Sequence, residues 1–126
     1  MAPIPRPPLR PAIDDLARAA LPLTPSAMHI LLALVDRPRH GLGIAQHVEE
    51  FTAGRLVLGP GNLYGTIKRL LELRLIDDAA GDPEDAAADP RRRYYRIAAA
   101  GRRALEIETR ELANILDVAR LKRVIR

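Results

Sequence analysis

Helical periodicity over most of the chain, broken once by a short alternating segment, predicts a mainly α (α+β) fold. The expected architecture is a winged helix-turn-helix domain followed by a long C-terminal dimerisation helix. Three observations lead there. Residues 59–71 sort apolar side chains onto one helical stripe and cations onto another. Residues 91–98 alternate as a strand does, just after a polar loop. Residues 99–123 hold a seven-residue apolar repeat over a length that a small domain cannot cover. The 126 residues divide accordingly into an N-terminal extension (1–22), the winged domain (23–98) and the last helix (99–126).

The extension is rich in Pro, Ala and Arg. Prolines at 3, 5, 7, 8 and 11 forbid a helix over its first eleven residues, which are expected to be disordered or extended. Residues 13–20 suit a short helix before Pro22. Thr24 followed by Pro25 marks a capped helix start. The helix runs to about Val35 and is apolar nearly all round through Met28, Ile30, Leu31, Leu32 and Leu34, the expected centre of the domain. Pro38 ends it, and His40 with Gly41 turns the chain into a second helix. There Ile44, Val48 and Phe51 form a core-facing stripe, and Gly54 closes the helix.

The third helix starts at Gly59, as cap, and Pro60, at the first helical position. Leu63, Ile67, Leu70 and Arg74 share its inner stripe, the last through its aliphatic stem. Gly65, Lys68, Arg69 and Glu72 face the opposite way, with Asn62 and Thr66 on the flank. A small residue among donors and cations lets a backbone approach a phosphate or a base edge, as in a helix lying in a DNA major groove. Residues 75–77 then read as one strand and 91–98 as another. On the second, Arg91, Arg93, Tyr95 and Ile97 share one face, and Arg92, Tyr94 and Arg96 the other. In the last helix Leu105, Leu112 and Ala119 repeat every seven residues with Ile115 and Leu116 between them. A stripe of that length implies a partner helix, most simply from a second copy. The pairs Arg102 with Glu106 and Glu106 with Arg110 support its outer face.

Composition removes several classes of function. With no cysteine there is no disulfide, thiolate metal site or cysteine nucleophile. No apolar run approaches the ~20 residues of a membrane span, and the start lacks the apolar core of a secretory signal, so the expected location is the cytoplasm. His29, His40 and His47 have no ligand spacing, Ser26 is the lone serine, and no paired carboxylates share a face. The chain is read as a non-enzyme without metal or cofactor. A net charge of +4 hides a sharp asymmetry: residues 77–90 hold six acids and no base, and residues 91–103 hold six arginines and no acid. A basic cluster beside a basic helix is a footprint for a polyanion.

Lys68 and Arg69 are the foremost candidates for phosphate or base contact. Asn62 either bonds an adenine edge bidentately or caps the helix backbone. Tyr64, at the edge of the apolar stripe, packs its ring and has a hydroxyl to offer. Arg91, Arg92 and Arg93 end the loop where a wing lies over the neighbouring groove, with Arg93 also a candidate structural residue. The acidic loop 82–89 is expected to bend away from phosphates or to shield these arginines, or to serve only solubility.

The chain resembles the PadR family of bacterial transcriptional regulators, which are winged helix-turn-helix dimers. The resemblance rests on Ile30-Leu31-Leu32-Ala33-Leu34, on His40-Gly41-Leu42-Gly43-Ile44, on the run from Gly59 through Asn62-Leu63-Tyr64 to Arg69-Leu70, and on Arg92-Arg93-Tyr94-Tyr95-Arg96-Ile97. The single C-terminal helix is similar to the short subfamily that dimerises through it. The resemblance implies a homodimeric repressor on a palindromic operator in double-stranded DNA, responsive to a small-molecule effector. Leu42 replaces the usual aromatic, Asn62 a usual Thr, and Ala98 the usual Thr cap. With no Trp, a planar-drug pocket between paired indoles is not implied. Two other uses of such a domain stay open: a protein-interaction module docking through Leu56, Val57 and Leu58 or the long helix, and non-specific chromosome-associated DNA binding.

Overall fold

A computed structural model of the chain describes residues 12–81 and 89–126. The expectations for residues 1–11 and for the acidic loop over 82–88 lie outside the described residues. Among the described residues, five helices and three short strands follow in the order α1 (Ile13–Ala19), α2 (Pro25–Leu34), β1 (Arg39–His40), α3 (Gly41–Phe51), α4 (Pro60–Glu72), β2 (Ile76–Ala79), β3 (Tyr94–Ile97) and α5 (Ala99–Leu121). The fold is mainly helical with one small antiparallel sheet, ordered β1-β3-β2.

α1 carries Asp14 and Asp15 in its first turn and Arg18 in its last, each placed to suit the helix dipole. It packs on α5, with Ala17 fully buried. Arg103 Nε donates to Asp14 Oδ1 at 2.8 Å, and Leu23 N donates to Glu108 Oε1 at 3.1 Å. α2 starts where Thr24 Oγ1 accepts from Ala27 N at 3.1 Å. Ile30, Leu31, Ala33 and Leu34 are buried on it, and they meet Ile44 and Val48 of α3 and Leu63, Ile67 and Leu70 of α4 in one core.

Four details correct the expected pattern. Phe51 leaves the inner stripe of α3: it is 41% exposed and stacks on His29 at 5.8 Å and edge-on to His47 at 5.4 Å. Arg74 is not on the α4 stripe, because the helix ends at Glu72. Leu75 N reaches back to Leu70 O at 2.9 Å and leaves Arg74 exposed in the left-handed region at φ 61°. The strands are displaced from 75–77 and 91–98 to Ile76–Ala79 and Tyr94–Ile97, paired in the register Ile76 to Ile97 and Asp78 to Tyr95. Arg102 turns from Glu106 to donate to Val35 O at 3.0 Å, while Arg110 keeps its pair with Glu106 at 3.2 Å.

β1 is an addition that the sequence did not announce. Arg39 and His40 pair with Tyr95 and Tyr94, and His40 then caps α3, its Nδ1 accepting from Gly43 N at 3.0 Å. No helix among the described residues is long and apolar enough to cross a membrane.

α5 meets the rest of the molecule at Gly101. A Cβ there would lie 2.0 Å from the carbonyl oxygen of Leu75. Gly101→Ala therefore pushes α5 off its seat, and thermal or urea melts are expected to show a loss of roughly 3 kcal/mol. A melt within experimental error of the parent contradicts the close approach. The α1 contact carries a pH signature. Hydrogen bonds from Arg103, then from Arg18, hold the Asp14 carboxyl below its ordinary value of 3.8. A lowered folded value adds stability above the ordinary range and loses it as pH falls through the folded value. Acidification below pH ~4 is expected to lower the melting temperature of the parent more than that of Asp14→Asn; parallel curves exclude the linkage.

Candidate nucleic-acid interface

α4 is amphipathic with a sharply set start. Gly59 serves as its N-cap and Pro60 occupies the first turn. Because Leu63, Ile67 and Leu70 are buried, the opposite side is fixed toward solvent. That side carries Gly61 and Gly65, where an added Cβ would meet nothing within 4 Å, and the exposed Lys68, Arg69 and Glu72. Arg69 lies 3.8 Å from Glu72 across one helical turn, with two thirds of its side chain in water. Such a pair contributes little stability and leaves the guanidinium available. Lys68 has no ion-pair partner among the described residues.

The two flanks of α4 are tied differently. Toward α2, Asn62 Nδ2 donates to Ser26 Oγ at 3.0 Å, and Thr66 Oγ1 donates to Asn62 Oδ1 at 3.2 Å. The helix-capping alternative for Asn62 is not taken up: it sits in the third helical position and the cap carries no side-chain bond. Toward α3, the ring of Tyr64 lies over Gly41, whose Cβ, if present, would be 2.7 Å from Tyr64 Cε1. Tyr64 is 53% exposed, so it packs on the start of a neighbouring helix rather than in the core.

Arg91, Arg92 and Arg93 lie in the turn before β3 and not within a strand. Arg93 Nη2 donates to Asp78 Oδ1 at 2.7 Å, and its guanidinium stands 5.8 Å over the ring of Tyr95. The Asp78 hydrogen bond reinforces the charged form of Arg93 and raises its pKa above the ordinary arginine value, while burial raises that of Tyr95. Arg92 reaches Asp89 at 3.6 Å and His40 Nε2 at 3.4 Å. The backbone N–H of Arg91 donates to Asp89 Oδ1 at 3.1 Å and its side chain is exposed. These three arginines and Tyr64 line one cleft of about 560 Å³ together with Gly41 and Leu42.

The structure thus joins Tyr64 and the arginine turn across one cleft and sets Gly65, Lys68 and Arg69 on the adjoining open face. It places Asn62 and Thr66 on the far flank, against α2. Of the candidate dimerisation residues, Leu112, Ile115 and Leu116 are 41%, 56% and 45% exposed and Ala119 is half-buried. Leu105 departs from that set: at 6% exposure it is packed into the core of its own chain. Two residues at the site escaped the sequence reading. Ser26 is brought to Asn62 across 36 residues of chain, a contact without a local signal. His40 caps a helix although His is outside the usual capping set.

The winged domain matches known proteins over most of its length. The model of the transcriptional regulator PadR-like family matches residues 30–107. An uncharacterised 37.1 kDa protein of a transposon from Streptomyces fradiae is 34% identical over 88 residues, which cover 70% of this chain and 23% of that protein. The chain therefore spans less than a quarter of that relative. A PadR family transcription regulator from Clostridium difficile is similar in structure, with a TM-score of 0.64, 26% identity, and coverage of 76% of this chain and 95% of that one. A transcriptional regulator from Clostridium thermocellum shares the fold at a TM-score of 0.62 and 21% identity, over 89% of this chain and 99% of that one. The matched segment begins within α2, takes in α3, α4 and the three strands, and ends in the first turns of α5, and the chain belongs to the PadR-like family of transcriptional regulators.

Proposed function

We propose that the chain is a sequence-specific repressor that binds a palindromic operator as a homodimer and releases it in response to a small-molecule effector. The observation that supports groove binding most directly is the outward face of α4. Its three apolar residues are buried, so Gly65, Lys68 and Arg69 are held outward on a rigid element, beside a turn of three arginines. In this reading Lys68 and Arg69 contact phosphates or base edges, Asn62, Gly65 and Thr66 face the bases, and Tyr64 offers its hydroxyl to a phosphate. Arg91 and Arg92 reach the flanking backbone; Arg93, tied to Asp78, holds the turn in shape.

The distal half of α5 supports pairing. Leu112, Ile115 and Leu116 lie on a helix that runs beyond its own domain, and a second copy is the simplest cover for them. A two-fold pair sets the α4 helices ~34 Å apart to match one duplex turn. The resemblance extends the reading to an effector that changes the angle between the paired α5 helices.

A gel shift with the promoter DNA of the chain's own gene tests the groove assignment. The parent is expected to bind, and to weaken steeply with added salt because phosphate contacts dominate the affinity. Lys68→Ala/Arg69→Ala is expected to lose about tenfold or more. A double variant that binds as the parent does rejects α4 as the reading helix. Absence of binding by the parent favours a protein-interaction module, and binding indifferent to competitor sequence favours a non-specific chromosomal role. Pairing is tested by Ile115→Asp. A charge at this exposed position costs the single chain little, so sedimentation is expected to give a folded monomer with weakened DNA binding; an unchanged dimer places the interface elsewhere.

A further inference from the structure

We propose that Ser26, in the first turn of α2, is a positioning residue for Asn62, and that the base the pair selects is adenine. The inference rests on α4 being the reading helix. A free carboxamide has two N–H donors and two acceptor lone pairs, and it swings about two side-chain torsions. Here Nδ2 spends one donor on Ser26 Oγ at 3.0 Å, and Oδ1 accepts from Thr66 Oγ1 at 3.2 Å. One donor and one acceptor remain, on a side chain that stays exposed.

In the major groove adenine presents an acceptor at N7 beside a donor at N6. Guanine presents two acceptors, cytosine a donor alone, and thymine an acceptor beside a methyl. Only adenine complements both remaining groups. Either hydroxyl can donate or accept, so turning the amide over still leaves one donor and one acceptor; what Ser26 fixes is its plane and reach. Ser26 belongs to a helix whose interior is buried throughout the core, which makes the anchor stiffer than solvent or a neighbouring loop. Gly61 and Gly65 flank Asn62 with open space, so a base edge can come close to the amide without meeting a Cβ. An amide already ordered before binding also loses less freedom on contact.

The test is selection from a duplex library whose randomised core holds two half-sites one helical turn apart, with the full chain and sequencing of the captured DNA. The parent is expected to enrich adenine at one position of each half-site. Asn62→Ala and Ser26→Ala should each lower that preference by about tenfold at that position alone, while Ser26→Thr, which keeps the hydroxyl, retains it. Thermal melts of the variants read any loss of folding separately, since a loss of fold lowers enrichment at every position. If Ser26→Ala leaves the adenine preference intact while Asn62→Ala removes it, the positioning role is overturned. If neither variant alters the motif, or the position prefers another base, the whole inference is overturned and groove reading by α4 survives. If the parent enriches no motif, sequence-specific binding itself fails.

Discussion

Leu75 is held from both sides, and the relation between α4 and α5 depends on it. Its N–H closes the end of α4 on Leu70 O at 2.9 Å, and its carbonyl accepts from Ala98 N at 2.9 Å. The same carbonyl faces Gly101, where no side chain fits. Three elements therefore meet at one buried residue: α4 ends there, β2 begins at the next position, and α5 is pressed against it. Ala98 has no side chain to cap α5, yet its backbone is tied by this contact. This long-range hydrogen bond fixes where α5 starts, without supplying the acceptor that a capping side chain offers the first-turn N–H groups.

The charge asymmetry of the sequence resolves into a brace. Asp77 pairs with Arg96 at 3.9 Å, Asp78 with Arg93 at 2.7 Å, and Asp89 with Arg92 at 3.6 Å. The first two pairs cross the hairpin, and the third ties the turn before β3 to itself, three residues apart. Each pair is at least partly in water and adds little stability alone. Their effect is geometric: they decide which arginines of the wing are held against the sheet and which reach outward. Arg93, with both an acid partner and a tyrosine beneath it, belongs to the first group.

Local signals were readable and long-range ones were not. The start and inner stripe of α4 follow from Gly59, Pro60 and apolar spacing, all within one window of sequence, and the structure reproduces them. Thr24 and Pro25 are equally local. The stripe fails at helix ends, where periodicity continues but the core does not: Phe51, the last residue of α3, lies at the surface against His29 of α2, and Arg74 lies beyond a helix already closed by Leu75. β1 is two residues long, too short for any alternation to register, and only its pairing with β3 defines it. Arg102 prefers the unsatisfied Val35 carbonyl at the end of α2 to an ion pair in water, a choice set by tertiary contact. At the site, the outward cations were legible from the helix face alone, whereas the Ser26 anchor required knowing that two helix starts meet.

These contacts constrain how a signal could pass through a paired molecule of the kind proposed. The proximal part of α5 is locked: Ala100, Ala104 and Leu105 are buried, Arg102 holds the end of α2, and Arg103 holds α1. A change in the angle at which two copies meet cannot be absorbed at that base, because sliding α5 there drives its backbone into the Leu75 carbonyl. The base of α5 and the end of α4 are joined through Leu75, so in the proposed pair a rotation at the distal half would carry α4 with it. A close backbone approach at Gly101 is therefore more than a packing convenience: a larger residue, by loosening the seat, would uncouple the distal half of α5 from α4.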